Sequence, residues 1–194
     1  MSLQKRRCRN CRKKADGEKA IVSPVVAFCC YECLKAWNNT KAAKKARLKM
    51  DRKITREAKE RLKRKNQWIR EAQSAFNKFI RIRDKKFGVC ISCNTTLIYE
   101  GHGGNVDASH FRPRSAAPQL RFNTFGCHAS CVRCNRWMEG NLTPYRKQLI
   151  KRIGKQRVLD LENDNKPKNY TIDDLKRIKE VFKKRAKLYE KKFR

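Results

Sequence analysis

The sequence predicts an α+β fold that is mostly helical, with short strands confined to two cysteine-braced modules. Three observations predict it. Eight of the ten cysteines fall in four CxxC pairs, Cys8/Cys11, Cys30/Cys33, Cys90/Cys93 and Cys131/Cys134. Residues 41–86 hold neither proline nor glycine and are dominated by Ala, Lys, Arg, Glu and Leu, all strong helix formers. Residues 88–145 are rich in turn formers, among them Gly101, Gly103, Gly104, Pro113 and Pro118, and two helical patterns follow them.

Composition narrows the class. The chain of 194 residues carries 51 Lys+Arg against 18 Asp+Glu, a formal charge of +33, and its pI is near 10.3. No apolar run approaches the roughly 20 residues of a membrane helix, so no membrane partner is expected. Met1–Lys14 is basic and lacks the apolar stretch of a secretory signal. So much like charge repels itself unless a polyanion neutralises it, which makes nucleic acid the leading partner.

Four pairs in two matched sets read as zinc ligands, because two intervening residues let both thiolates reach one tetrahedral Zn2+ at about 2.3 Å. Disulfides suit a secreted chain, and nothing here directs secretion, so a cytoplasmic location is expected. Residues 1–37 form the first module, with Cys8, Cys11, Cys30 and Cys33 as its ligands and Cys29 as the alternative to Cys30. Its 18-residue gap, Arg12–Cys29, fits two short strands and a turn before a helix over 32–37. So small a segment needs metal to supply its folding energy. Its basic runs, Lys5-Arg6-Arg7 and Arg12-Lys13-Lys14, suit phosphate.

Residues 38–87 form a basic helical region, with 19 Lys/Arg against 5 Asp/Glu over 41–86. Trp68, Ile69, Ala72, Ala75, Phe76, Phe79 and Ile80 repeat at helical spacing and should face a core. Ala42, Ala46, Met50, Ile54, Ala58 and Leu62 recur every four residues, a stripe that drifts around the helix and suits an exposed surface.

Residues 88–145 form the second module, with Cys90, Cys93, Cys131 and Cys134 as zinc ligands and short strands near 96–99 and 105–110. Residues 146–194 belong to C-terminal helices. One is expected over 144–161, with Pro144 at its first position. The other starts after Thr171 with Asp173 and Asp174 in its first turn and runs nearly to Arg194. All three histidines, His102, His110 and His128, lie between the CxxC pairs of the second module. Four thiolates already fill a structural zinc site, which leaves the histidines for other work. Asp107, Asn123 and Asn135 accompany them, and Asp and Asn oxygens suit a hard cation such as Mg2+ or Mn2+. A histidine base, a hard cation and a phosphodiester together describe metal-assisted hydrolysis. Arg112, Arg114, Arg121, Arg133 and Arg136 surround this set as candidate backbone contacts. His102 reads as a loop residue, Cys127, Phe111 and Trp137 as core, and Asn141 as a turn residue before Pro144.

These residues resemble a known architecture. Cys90-Ile-Ser-Cys93, Asp107-Ala-Ser-His110, Asn123 and Cys131-Val-Arg-Cys134-Asn135 are similar to a zinc-braced HNH nuclease of ββα-metal fold. The longer stretch Asp107–Tyr145 closely resembles the NinG family of lambdoid phages, also called Rap. The resemblance is strongest over 88–153. It implies a structure-specific endonuclease that cleaves branched DNA, including Holliday junctions and displacement loops, in phage recombination within the bacterial cytoplasm. It also implies His110 as general base, Asn135 as ligand of the catalytic divalent metal and Asn123 as the residue orienting the loop and the base. Asp107 is expected as a further catalytic residue and second metal ligand. It stands three residues before His110 instead of one, so a bulge is needed to bring it to the metal; otherwise His128 or water completes the site. Paired incision of a junction suggests a homodimer, with 38–66 as the candidate interface, and recombination proteins as possible partners. Two other readings stay open: a non-catalytic zinc-finger protein that binds nucleic acid, and an HNH nuclease of other specificity.

Overall fold

The computed structural model describes residues 6–99 and 105–192; His102, Lys5, Gly101, Gly103 and Gly104 lie outside the described residues. The chain divides into two compact units, Met1–Lys63 and Arg64–Arg194.

In the first unit, β1 (Ile21–Val22) pairs antiparallel with β2 (Ala27–Phe28), and α1 (Tyr31–Asn38) follows. Phe28 packs on Trp37 of α1, ring centres 5.8 Å apart, in a very small core. The long helix α2 (Lys41–Arg61) starts at Thr40, whose hydroxyl accepts from the Ala43 amide at 3.2 Å and caps the helix. Only Ala43 of α2 is buried, while Leu48, Met50 and Ile54 are exposed.

The second unit begins with α3 (Lys65–Asp84). Next come β3 (Val106–His110) and β4 (Cys127–Cys131), which form a two-stranded antiparallel sheet. A π-helical turn (Arg133–Trp137) leads into α4 (Leu142–Ile153), α5 (Lys155–Asn163) and α6 (Ile172–Lys192). The apolar face of α3 is buried as its spacing predicts. Phe76 and Phe79 meet Phe182 of α6 at 4.9 and 5.4 Å, and Ala108 of β3 and Cys127 of β4 join the same cluster. A second cluster packs Tyr145, Leu149, Val158 and Leu161 of α4 and α5 on Phe111 and Leu120. Each such large apolar side chain contributes about 1.5–3 kcal/mol on burial.

Several expectations are corrected. The basic helical region 38–87 holds two helices, α2 in the first unit and α3 in the second. The helix expected over 144–161 breaks at Gly154 (φ 87°), a conformation side-chain-bearing residues rarely adopt. Residues 96–99 form no strand; Thr96 makes one isolated bridge to Val89. The partner of β3 is β4 instead, all five of whose residues are buried. Trp137 is not core, because it is 80% exposed.

One buried carboxylate ties these layers together. Asp84, 1% exposed, accepts from Arg83 Nε (2.6 Å), from the His128 ring (3.0 Å) and from the Ala129 amide (2.9 Å). Arg83 donates onward to the Thr124 and Cys127 carbonyls. The end of α3 is thereby fastened to β4. Burial alone pushes the Asp84 carboxyl up, but hydrogen bonds and charge from His128 and Arg83 hold it well below the usual carboxylate range. A lowered carboxylate stabilises the fold fully above its unfolded value of about 3.9 and progressively less in stronger acid. Asp84→Ala should therefore cost about 3–5 kcal/mol by urea unfolding at pH 7, because it strands Arg83 and His128 without their anion.

Candidate functional site

Two sulfur quartets are assembled. Cys90, Cys93, Cys131 and Cys134 form one, and Cys8, Cys11, Cys29 and Cys33 form the other, each with its ligand atoms within 4.8 Å of one another. The Cys93–Cys131 sulfur distance is 3.7 Å, and Cys29 lies 3.5 Å from both Cys11 and Cys33. Tetrahedral thiolates at about 2.3 Å from Zn2+ stand about 3.8 Å apart, so both quartets fit zinc. The first cysteines sit on similar turns. The Arg12 amide bonds to the Cys8 carbonyl, and the Asn94 amide to the Cys90 carbonyl, with φ of 65° and 58° at Arg12 and Asn94. Cys29, not Cys30, completes the N-terminal quartet. Cys30, the N-cap of α1, stays close, its sulfur 3.9 Å from that of Cys29, but it is Cys29 whose sulfur lies within 4.8 Å of those of Cys8, Cys11 and Cys33. Cys127 is fully buried against α3 and α6 and belongs to neither quartet.

The second quartet joins the end of β4 to the knuckle at 90–94 and opens directly into the π-turn. Beside it lies a cavity of about 730 Å³ whose wall includes Ser109, His110, Arg114, Arg121, Asn135 and Glu139. His110 and Asn135 are thus brought to one cavity from β3 and from the turn after Cys134. His110 stacks on Phe76, ring centres 5.8 Å apart, and donates from Nε2 to the Arg121 carbonyl at 2.9 Å. That acceptor assigns the tautomer and leaves Nδ1 to accept a proton; the Cys127 sulfur lies 3.7 Å from it. Burial, then the charges of Arg114 and Arg121, push the His110 imidazole down to about 4, against the pull of the Arg121 carbonyl.

Asp107 stands differently from expectation. The β3–β4 register runs unbroken from Val106↔Cys131 to His110↔Cys127, so no bulge turns Asp107 toward the cavity. Its carboxylate instead accepts from Asn135 Nδ2 at 3.0 Å and from Arg136 at 2.7 and 2.9 Å. Arg136, ahead of Asn135 and Arg81, holds this carboxyl below its ordinary range. Asp107 therefore adjoins the cavity through Asn135 and is not in its wall. Glu139, which belongs to none of the motifs in the sequence, is in the wall, four residues after Asn135 and at φ 49°. The spacing after Asn135 was its available signal. Ser109 Oγ is buried without a hydrogen-bond partner and faces the same cavity. Oxygens from Ser109, Asn135, Glu139 and neighbouring Asp107 are hard donors that suit a divalent cation.

The remaining candidates separate. Asn123 is outside the cavity wall; its Oδ1 accepts the Phe125 and Gly126 amides and shapes the turn into β4. His128 is committed to Asp84 and does not complete the site. Arg114 and Arg121 line the cavity. Arg112 does not: it donates to the Leu161, Glu162 and Asp164 carbonyls and closes the end of α5. Arg133 is exposed at the rim of the second cysteine quartet. Asn141 is the N-cap residue of α4, and its amide reaches the Cys134 sulfur at 3.6 Å.

The family described as Bacteriophage Lambda NinG protein matches residues 1–192. The proteins named "Protein ninG" from Escherichia phage lambda and Salmonella phage P22 are each 43% identical to this chain over 126 residues, 65% of this chain and 59% of theirs. The protein of that name from Escherichia phage 933W is 40% identical over the same length, 60% of its own chain. The chain thus spans less than two thirds of the length of these relatives. No solved structure matches it.

Metal analysis of the purified chain should find two zinc ions. Cys29→Ser should lose one and Cys30→Ser should keep both; the reverse pattern would reinstate Cys30. In an NMR titration, the His110 ring should change protonation near pH 4 and stay neutral from pH 6 to 8.

Proposed function

This chain belongs to the NinG family, and from that premise we propose that it is a metal-dependent, structure-specific DNA endonuclease of the HNH type, acting on branched recombination intermediates such as Holliday junctions and displacement loops. One observation carries the reading: His110 and Asn135 share a cavity on an antiparallel strand pair that runs straight into a cysteine quartet and a helical turn. A closed zinc quartet has no need of that cavity.

In this reading the Arg121 carbonyl orients His110, and Nδ1 takes the proton of the attacking water. A ring lowered to about 4 is already in the accepting form at neutral pH. Arg114 and Arg121 hold the phosphate by charge. Asn135, with Glu139 and Asp107, would hold Mg2+ or Mn2+. When bound, the cation supplies Lewis-acid stabilisation of the phosphate and the leaving oxygen. Asp107 must first exchange its pairing with Arg136, whose side chain is 64% exposed and free to swing to solvent or to DNA. The net charge of +33 supports phosphate-directed grip that ignores sequence. A host-cytoplasm location, a homodimer through 38–66 and association with recombination proteins belong to the same proposal. Among the described residues no helix is long and apolar enough to cross a membrane.

The closed Asp107–Arg136 pair also favours a second reading, a zinc-braced protein that binds branched DNA without cutting it. One assay separates them. Wild type and His110→Ala are incubated with a four-way junction, a three-strand branch and a linear duplex, each with Mg2+, Mn2+ or EDTA. The nuclease reading expects metal-dependent cuts near the branch, a loss of at least about 100-fold in His110→Ala and unchanged junction binding. It also expects a rate that does not fall between pH 8 and pH 6. Tight binding without cutting under any metal would replace it with the second reading.

A further inference from the structure

We propose that the polar face of α3 is a second contact for the DNA backbone, continuous with the cavity that holds His110. The inference rests on the nucleic-acid reading above but on different residues. A second hollow of about 320 Å³ lies along α3, and its wall includes Arg70, Gln73, Ser74, Asn77 and Arg81. These positions follow the i, i+3, i+4, i+7 spacing and so lie on one side of the helix. The side opposite carries Trp68, Ala72, Phe76 and Phe79, which are buried. The polar face is thus held outward by the same packing that fixes the helix.

Arg114 and Arg121 complete the wall, and both also line the His110 cavity. The two hollows therefore share a border made of guanidinium groups. Arg121 Nη1 reaches Gln73 Oε1 at 3.5 Å, and Gln73, 5% exposed, donates to Asn77 at 2.7 Å. An amide relay connects the border to the helix. No carboxylate lines this hollow. Among the described residues none of its four arginines has an acidic ion-pair partner. The acidic residues of α3 are used elsewhere, Glu71 on Lys179 and Asp84 in the core. Arg81 acts at longer range on Asp107. Burial first, and then the charge of nearby Arg114, lower the Arg121 pKa. Four cations around neutral hydrogen-bond donors match a phosphodiester, which offers charge and acceptors but no donors. A strand whose scissile phosphate sits beside His110 would place a neighbouring phosphate against α3.

The test uses the full zinc-loaded chain and a labelled four-way junction without added Mg2+, so that binding is read apart from cutting. Arg70→Gln/Arg81→Gln is compared with Lys184→Gln/Lys187→Gln, which removes the same charge from exposed positions of α6. The α3 pair should weaken binding by roughly 10- to 100-fold and lower the slope of log affinity against log salt by about 1.8. The α6 pair should leave both near wild type. A photo-cross-linking residue at exposed Ser74 should capture DNA, and one at Lys187 should not. Equal effects of the two pairs, or no cross-link from position 74, would overturn the inference. If the chain binds through α3 yet never cuts, the nuclease reading falls and this contact stands. If it cuts and the α3 pair binds normally, the reverse holds.

Discussion

Everything around the cavity depends on four sulfur atoms being held together. Cys90, Cys93, Cys131 and Cys134 come from a knuckle before β3 and from the end of β4. Their geometry fits one tetrahedral cation, which would neutralise the charge of four thiolates brought together. The sheet they brace has two strands, fewer than an isolated sheet needs to persist in water. The quartet fixes one end of β4, and Asp84 fixes its other flank through His128 and the Ala129 amide. With β4 held at both places, the register delivers His110 opposite Cys127 without adjustable parts.

Positive charge is the second organising constraint. Arg114 and Arg121 press on His110 from the cavity wall, and their combined field and the burial of the ring favour its neutral form. The same field attracts phosphate. Burial sets the basicity of the histidine first, and the two arginines add to it. Arg112 shows that charge alone does not make a contact, since its donors are consumed by carbonyls at the end of α5.

Much of this was legible where the chemistry is periodic or local. The CxxC spacings announce the quartets, the apolar repeat of α3 announces its buried face, and Thr171 announces the start of α6, where its hydroxyl accepts the Asp174 amide. What was not legible depends on distant partners or on single backbone angles. The sequence Cys127–Cys131 is buried on both sides and shows no alternation, so β4 carries no strand signal. Cys29 and Cys30 are neighbours of equal chemistry with sulfurs 3.9 Å apart, and only the folded positions of Cys8, Cys11 and Cys33 distinguish them. Asp84 looks like one more charge on a basic helix until β4, 44 residues away, supplies its partners. Trp137 looks apolar enough for a core, yet the π-turn directs it to solvent. Glu139 gains meaning only once that turn folds it back to the cavity.

The π-turn also sets how far this segment tolerates change in length. The Met138 amide bonds to the Arg133 carbonyl at 3.1 Å, and the Gly140 amide to the Cys134 carbonyl at 2.8 Å. Ser92 Oγ holds the Gly140 carbonyl at 3.0 Å, and Gly140 sits at φ 93° with Leu142 close by. One end of the stretch is thus pinned by sulfur and the other by a glycine. An inserted or deleted residue between Asn135 and Gly140 would turn Glu139 by roughly 100° relative to Asn135 on a helical path, parting the two side chains that line the cavity. The connection from Phe111 to Gly126 is constrained as well, since Ala117 and Leu120 are buried and the Arg121 carbonyl holds His110; an insertion there could keep the register of β3 and β4 and still lose the tether of the histidine.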